Sequence, residues 1–183
     1  MRDLLDPLGA RAPALGSALL ALPFLWPLSL GPLTSPAAAL IAWFGYRVIR
    51  DHGSDRLPER LLALPLPERI HRLMVVFARR ALRMRRRLRP GRMPGLVEGK
   101  RGRVLCGVAM VTGAALLAMP VPLLPFTNTL PALGIVLATV GWSEHDGGLV
   151  AAGWVAQLLG LMLMFVLVGI IALGGWQAVS AWW

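Results

Sequence analysis

The sequence predicts an all-α integral membrane protein that forms a single membrane domain over residues 1–183. Apolar residues occupy 56% of the chain and the mean hydropathy is +0.64, which is unusual for a water-soluble globule. The charges are also segregated. Of the 19 Lys and Arg residues, 17 lie between Arg47 and Arg103, and residues 104–183 contain none. This distribution excludes a uniformly basic nucleic-acid-binding protein.

An internal repeat organises the predicted fold. Segments 15–23 and 112–120 are identical at six of nine positions, at an offset of 97. A shared order of Gly, Pro, Pro-Ala and Asp continues as far as Asp51 and Asp146, at an offset of 95. A two-residue difference in loop length reconciles the two offsets. The sequence therefore predicts two copies of one structural unit.

Each copy is predicted to be a helical hairpin broken by prolines, over residues 12–50 and 104–146. In the second copy, the apolar arms 104–119 and 131–142 flank a proline-rich stretch that cannot be helical throughout. These arms rise about 24 and 18 Å, less than the roughly 30 Å hydrocarbon core. We therefore expect re-entrant hairpins whose tips lie inside the bilayer. The alternative is a proline-kinked span over 104–124 followed by a short tilted span.

A basic segment, residues 55–103, separates the two hairpins and contains an amphipathic helix predicted at 67–90. Apolar residues recur there at helical spacing, and arginines occupy the other faces. The positive-inside rule and attraction to anionic headgroups place this helix at the cytoplasmic leaflet. No aromatic stacking platform accompanies the arginines, so we expect anionic membrane lipids as partners and no nucleic acid.

The C-terminal part of the chain, residues 147–176, is predicted to form a transmembrane helix. Residues 149–176 carry no charge and are long enough to cross with tilt, and Asp146 before two glycines is a suitable N-cap. A stripe of small residues with an adjacent glutamine allows another helix to approach closely, either within the molecule or in a homodimer. This stripe comprises Ala152, Ala156, Gln157 and Gly160.

The hairpin tips provide a hypothesis for a substrate-binding site. In a re-entrant hairpin, broken helices present backbone amides and carbonyls at membrane depth, as in many transporters. The alternative is structural, with Asn128 or Thr129 capping the helix that begins near Pro131. The candidate residues are Pro120, Pro122, Pro125, Thr127, Asn128, Thr129 and Pro131 in the second hairpin, and Pro23 and Pro27 in the first.

A second set of candidates is predicted to form a charged interface at the membrane surface. It combines acidic residues and a histidine at the hairpin ends with arginines of the amphipathic helix. The set comprises Asp51, Glu144, His145, Asp146, Arg83, Arg85, Arg86 and Arg87.

The sequence gives no starting point for catalysis or metal binding. Glu144, His145 and Asp146 are adjacent, which suits metal ligation poorly because helical neighbours diverge by about 100°. No HExxH, GxSxG or glycine-rich phosphate loop occurs, and Cys106 is the single cysteine. We therefore expect no metal, no cofactor and no catalytic residue, and the chain is not expected to be an enzyme.

A proline, asparagine and Leu-Pro-Ala pattern marks the second hairpin. Pro120-x-Pro122 precedes Pro125-Phe-Thr-Asn128-x-Leu-Pro131-Ala-Leu-Gly-Ile-Val-Leu, and Asp146-Gly precedes a glycine-rich apolar helix. Together with the leucine-rich first hairpin and the arginine-rich middle, this pattern resembles the ExoD family of bacterial membrane proteins associated with exopolysaccharide synthesis. The resemblance covers nearly the whole chain.

The resemblance implies a multi-pass inner-membrane protein, with the basic segment 47–103 in the cytoplasm, that takes part in making or exporting surface polysaccharide. Two hypotheses follow. In the first, the chain handles or translocates an anionic lipid-linked intermediate. In the second, it is a non-transporting, homodimeric scaffold or regulator of the polysaccharide synthesis machinery.

Overall fold

The part of the chain that the structure describes is helical and contains no strand. In the computed structural model, the described residues are 12–25, 34–50, 93–119 and 128–180. Five α-helices follow in order: α1 (Ala12–Ala21), α2 (Thr34–Ile49), α3 (Gly99–Ala118), α4 (Thr129–Ser143) and α5 (Gly147–Ser180). The all-α class is therefore confirmed over these ranges. The amphipathic helix predicted at 67–90 lies outside them.

The first four helices form a closed ring, and α5 packs outside it. Helix α1 packs against α2 and α4, and α3 packs against the same two helices, whereas α1 and α3 meet only marginally. Helix α5 lies along α4 and makes a smaller contact with α3. The centre of the ring is filled by apolar side chains, the largest of which include Phe24, Ile41, Phe44, Met110, Leu117 and Ile135.

Consecutive helices in the ring form antiparallel hairpins. Gly16 of α1 faces Phe44 of α2. The connection between these helices runs from Leu25 to Thr34; Gly16 lies nine residues before it and Phe44 lies ten residues after it. Gly113 of α3 faces Ile135 of α4 at similarly matched distances from their connection. Because contacts in an antiparallel pair lie equally far from the connection on both sides, α1 and α2 form one hairpin and α3 and α4 form another.

Helices α2 and α3 join the two hairpins and are also antiparallel. A Cβ atom at Gly45 would lie 2.9 Å from the carbonyl oxygen of Gly107 and close to Val111. Ile49, one turn later on α2, lies next to Gly107 and so meets an earlier part of α3 than Val111. The ring therefore has two ends. We call the end with the starts of α1 and α3 and the ends of α2 and α4 the base, and the opposite end the tip.

A short turn at the base joins α4 to α5. The Asp146 amide donates to the carbonyl of Gly141 at 2.8 Å, and His145, with φ 55, donates to Trp142 at 3.4 Å. This is a Schellman motif, in which the left-handed residue satisfies the last carbonyls of the helix. The Asp146 carboxylate then accepts hydrogen bonds from Gly148 at 2.9 Å and Leu149 at 3.3 Å, and so caps α5.

Helix α3 begins five residues earlier than the predicted arm 104–119. Its 20 residues rise about 30 Å, so the predicted rise of about 24 Å is wrong for this helix. The sequence interpretation started the arm after the last basic residue, Arg103. Lys and Arg are good helix formers, however, and the helix continues through Lys100 and Arg101, whose side chains are exposed.

Among the described residues, two helices are long and apolar enough, by length and composition, to cross a membrane. They are Gly99–Ala118, with a mean hydropathy of 1.4, and Gly147–Ile170, with 2.2. The apolar segments Pro13–Leu25 and Thr129–Ser143 are shorter. On α5, large apolar side chains face outward, including Val155, Leu158, Leu159, Met162, Phe165, Val166 and Ile170. This combination indicates a membrane protein.

Candidate functional site

The base carries all the acidic, basic and histidine side chains in the part of the chain that the structure describes. Arg47 and Arg50 lie at the end of α2, and three basic residues lie near the start of α3. One acidic residue directly precedes α3, and the other two lie with the histidine in the turn between α4 and α5. These side chains are Arg47, Arg50, Glu98, Lys100, Arg101, Arg103, Glu144, His145 and Asp146. The remaining described surface is built from uncharged residues, so the base is the polar end of an otherwise apolar bundle.

Helix dipoles affect the two basic groups at the base differently. Arg47 and Arg50 lie at the C-terminal end of α2, where cations are favoured by about 0.3–1 kcal/mol. Lys100 and Arg101 lie in the first turn of α3, where the dipole disfavours cations, and the acidic residue Glu98 occupies the N-cap position just before them.

Two arginines of the base are stacked on aromatic rings. The guanidinium carbon of Arg47 lies 4.9 Å from the centre of the Trp43 ring, and that of Arg50 lies 5.3 Å from the Tyr46 ring. Both are cation–π distances. Sequence reasoning missed these residues, although the spacing of four residues between aromatic and arginine on one helix is a readable signal.

The predicted substrate residues at the hairpin tips are only partly described. Asn128 occupies the N-cap position of α4, but its backbone is helical and its side chain makes no capping hydrogen bond. The Thr129 hydroxyl is buried and has no hydrogen-bond partner among the described residues. Pro131 is buried, and Pro23 lies in the 3₁₀ turn after α1. The other candidates lie outside the described residues: Pro27, Pro120, Pro122, Pro125 and Thr127.

The predicted charged interface is likewise partly described. Glu144, His145 and Asp146 lie together in the turn at the base, with Asp146 buried. Within the described ranges, no group of three His, Cys, Asp or Glu side chains is arranged so that it could hold a metal ion. Asp51, Arg83, Arg85, Arg86 and Arg87 lie outside the described residues.

Three residues of the predicted small-residue stripe on α5 face the bundle. The Gln157 side chain donates to the carbonyl of Ala109 at 2.6 Å and accepts from the hydroxyl of Thr112 at 2.7 Å, which links α5 to α3. Gly160 lies against Leu130 and Pro131 of α4. Ala156 is buried, whereas Ala152 is exposed. Thr112 was not identified from the sequence.

The capping carboxylate of Asp146 gives a direct stability prediction. Asp146→Ala leaves the amides of Gly148 and Leu149 without their side-chain acceptor, and we expect a loss of about 1–2 kcal/mol. Thermal unfolding in detergent, followed by circular dichroism, measures this loss. Asp146→Asn is the matched control because it keeps an acceptor oxygen. An equal loss in both variants would contradict the capping role.

The chain is similar to proteins of one family. A model described as "Exopolysaccharide synthesis, ExoD" matches residues 1–166. Protein ExoD of Rhizobium meliloti is 29% identical over 181 residues, which cover 98% of this chain and 74% of that protein. An uncharacterized protein of Synechocystis sp. is 32% identical over 77 residues, which cover 42% of this chain and 35% of that protein. No solved structure matches.

Proposed function

This chain belongs to the ExoD family of exopolysaccharide-synthesis proteins, and from this premise we propose that it holds an anionic lipid-linked intermediate at its base. The observation that carries the proposal is the gathering of all described charged side chains, with five basic against three acidic residues, at one end of an apolar bundle. In this proposal the chain is a multi-pass protein of the bacterial inner membrane, with residues 47–103 in the cytoplasm. It acts by binding and not by catalysis.

The proposed placement in the membrane puts the base at the cytoplasmic surface and the tips inside the bilayer. Helix α5 rises about 20 Å from Gly147 to Gly160, where it meets the start of α4, and continues for about 30 Å to Ser180. The start of α4 therefore lies about 20 Å deep, short of the far side of a roughly 30 Å hydrocarbon core, and the roughly 30 Å of α3 fits the same hairpin when its first turn, with Lys100 and Arg101, lies in the headgroup region. This register supports re-entrant hairpins beside one full crossing by α5.

The proposed repeat agrees with how the helices pack. In a repeat, α1 corresponds to α3 and α2 corresponds to α4. The contact between α1 and α4 then corresponds to the contact between α3 and α2, and both contacts are extensive. Both hairpins also run from base to tip and back. The repeat we propose is therefore parallel, with its axis along the membrane normal, and not inverted.

We propose that the lipid binds on the outside of the bundle. The centre of the ring is filled by apolar side chains, which favours binding at the surface over passage through the ring. Helix α5 presents an exposed apolar stripe that begins about 12 Å from Gly147 and continues past the level of the tip, and that consists of Val155, Leu159, Met162 and Val166. An isoprenoid or acyl chain that follows this stripe and extends from it to the base would place its phosphate at the level of the basic residues.

Lipid retention tests this proposal. Purified protein in detergent is offered equal amounts of polyprenyl phosphate and phosphatidylcholine, and retained lipid is quantified by mass spectrometry. We expect an enrichment of polyprenyl phosphate of about tenfold or more, because charge-assisted hydrogen bonds contribute about 1.5–3 kcal/mol each.

Neutralising the base should remove this preference. The triple variant Arg50→Gln, Lys100→Gln and Arg101→Gln alters exposed side chains only, so we expect it to fold and to retain both lipids about equally. In cells, the same variant should lower exopolysaccharide output. If the unaltered protein shows no preference for the anionic lipid, the proposed function is wrong.

A second candidate function is a non-transporting, homodimeric scaffold for the polysaccharide synthesis machinery. The observation that favours it is the outward apolar face of α5, which includes the exposed small residue Ala152. Disulfide crosslinking of Ala152→Cys, in a Cys106→Ala background in native membranes, tests it. Crosslinking at this position but not at Met162→Cys would support a specific dimer. The absence of crosslinks at both positions would count against it.

A further inference from the structure

Helix α2 carries an exposed stripe of apolar and aromatic residues. The stripe runs from the tip to the base and recurs at the spacing of three and four residues that marks one helix face. It consists of Pro36, Ala39, Trp43 and Tyr46. The described residues leave all four exposed, with Trp43 at 36% and Tyr46 at 52%. The proposed repeat gives this stripe a counterpart on α4.

The counterpart on α4 is covered by another helix. At the offset of 95, the four residues of the stripe correspond to Pro131, Gly134, Ala138 and Gly141. A Cβ atom at Gly153 of α5 would lie 2.8 Å from the Gly134 carbonyl oxygen and 2.8 Å from the Ala138 amide nitrogen. Pro131 and Gly141 also lie against α5. The stripe on α2 therefore corresponds to a face on which α4 receives the helix that follows it in the chain.

The chain that follows α2 differs from the chain that follows α4. In residues 51–92, no stretch longer than seven residues is free of Asp, Glu, Lys and Arg, whereas a crossing helix needs about 20 apolar residues. The amphipathic helix predicted at 67–90 follows α2 instead. We propose that the apolar side of this helix docks on the base half of the stripe, from Ala39 to Tyr46, while its arginines face headgroups and water. This docking goes beyond the proposed function and needs no bound lipid.

The dimensions of the two surfaces agree. Ala39 and Tyr46 are separated by about 10 Å along α2, and a helix that lies in the membrane plane is about 10–12 Å across. The predicted helix ends at position 90, three residues before Met93. Met93 precedes the 3₁₀ turn Pro94–Leu96, which packs on α3 at the base, and α3 adjoins α2. The end of the helix is therefore tethered close to the base half of the stripe.

The side chains of the two surfaces are complementary in kind. Glycine and alanine on α4 admit α5 to backbone contact, whereas the rings on α2 hold an occupant further away and need long side chains opposite them. The apolar side of the predicted helix supplies such side chains: Ile70, Leu73, Met74, Phe77, Ala81, Met84 and Leu88. Aromatic pairs and contacts between methionine sulfur and a ring are favourable.

Disulfide crosslinking of the full chain in native membranes tests the docking. In a Cys106→Ala background, Tyr46→Cys is combined with a second cysteine on the apolar side, in four separate variants: Leu73→Cys, Phe77→Cys, Ala81→Cys and Met84→Cys. The matched controls combine it with Arg79→Cys or Arg86→Cys, which lie on the opposite side of the predicted helix. Tyr46 is exposed, so its replacement is expected to leave the bundle folded.

We expect a disulfide within one chain in at least one of the four apolar pairs and in neither control pair. A disulfide that joins two chains would assign the stripe to a second copy of the protein. The absence of a disulfide in every pair would leave the stripe facing lipid. Either result would overturn the docking, and so would equal crosslinking in the control pairs.

Maleimide labelling of Tyr46→Cys in detergent provides a second measurement. Phe77→Gln removes an apolar side chain from the docked surface, so we expect it to speed labelling about tenfold or more. Arg79→Gln is the matched control and should change the rate less than about twofold. Equal rates in the two variants would contradict the docking. Neither experiment measures lipid binding, so failure of the docking leaves the proposed function to its own test.

Discussion

Replacing Gly107 with leucine is expected to destabilise the bundle by at least about 3 kcal/mol, whereas the same replacement at Gly169 is tolerated. A Cβ atom at Gly107 would lie 2.8 Å from the carbonyl oxygen of Gly45 and 2.5 Å from Cγ1 of Ile49. Because the Gly45 carbonyl is backbone, α2 and α3 must separate to admit a side chain. The two hairpins would then lose their main mutual contact.

Gly169 provides the matched control for this experiment. It lies within α5, and a Cβ atom there meets nothing within 4 Å. Thermal unfolding in detergent and the elution profile on size exclusion report the difference between Gly107→Leu and Gly169→Leu. Equal stability of the two variants would show that the contact between α2 and α3 does not hold the hairpins together.

Gln157→Leu is expected to cost about 2 kcal/mol and to loosen α5 from the ring. The substitution removes the hydrogen bonds to the Ala109 carbonyl and from the Thr112 hydroxyl, and such bonds within membranes average about 0.6 kcal/mol each, with a maximum near 1.7. It also places a branched side chain against Gly113 and Gly134, where the Gln157 side chain now packs. The lost bonds and the poorer packing add up to the expected cost.

A double-mutant cycle separates the hydrogen bond from the packing. Thr112→Val keeps the shape of the side chain and removes the hydroxyl. The double variant with Gln157→Leu should therefore cost less than the sum of the two single variants. Leu158→Ala, next to Gln157 but exposed, is the control and should change the free energy of unfolding by less than about 0.5 kcal/mol. Strict additivity of the two losses would mean that Thr112 and Gln157 do not interact.

Part of this fold could be predicted from the sequence because hydropathy and charge are local properties. Uninterrupted apolar runs predicted both the helical class and the long apolar helix that follows Asp146. The start of α3 was misplaced, since a basic residue ends an apolar run without ending a helix. Asn128 was a reasonable cap by residue type, but its side-chain hydrogen bond depends on a backbone conformation that residue type does not determine.

The contacts between helices could not be predicted, because they depend on which residues meet across the ring. Gly45 and Gly107 are 62 residues apart, and nothing in the sequence pairs them. The hydrogen-bond partner of Gln157 on α3, Thr112, could not be predicted for the same reason. The stacked arginines of α2 differ, since aromatic and arginine are four residues apart on one helix and their pairing is a local pattern that the sequence interpretation overlooked.

Cysteine accessibility tests most directly the claim that the base faces the cytoplasm while the tips lie inside the bilayer. In a Cys106→Ala background, His145→Cys and Asn128→Cys are treated with a membrane-impermeant maleimide in inside-out and right-side-out vesicles. We expect His145→Cys to react only in inside-out vesicles, and Asn128→Cys to react in neither until detergent is added. Reaction of Asn128→Cys in intact right-side-out vesicles would show that the hairpin spans the membrane and would contradict the account.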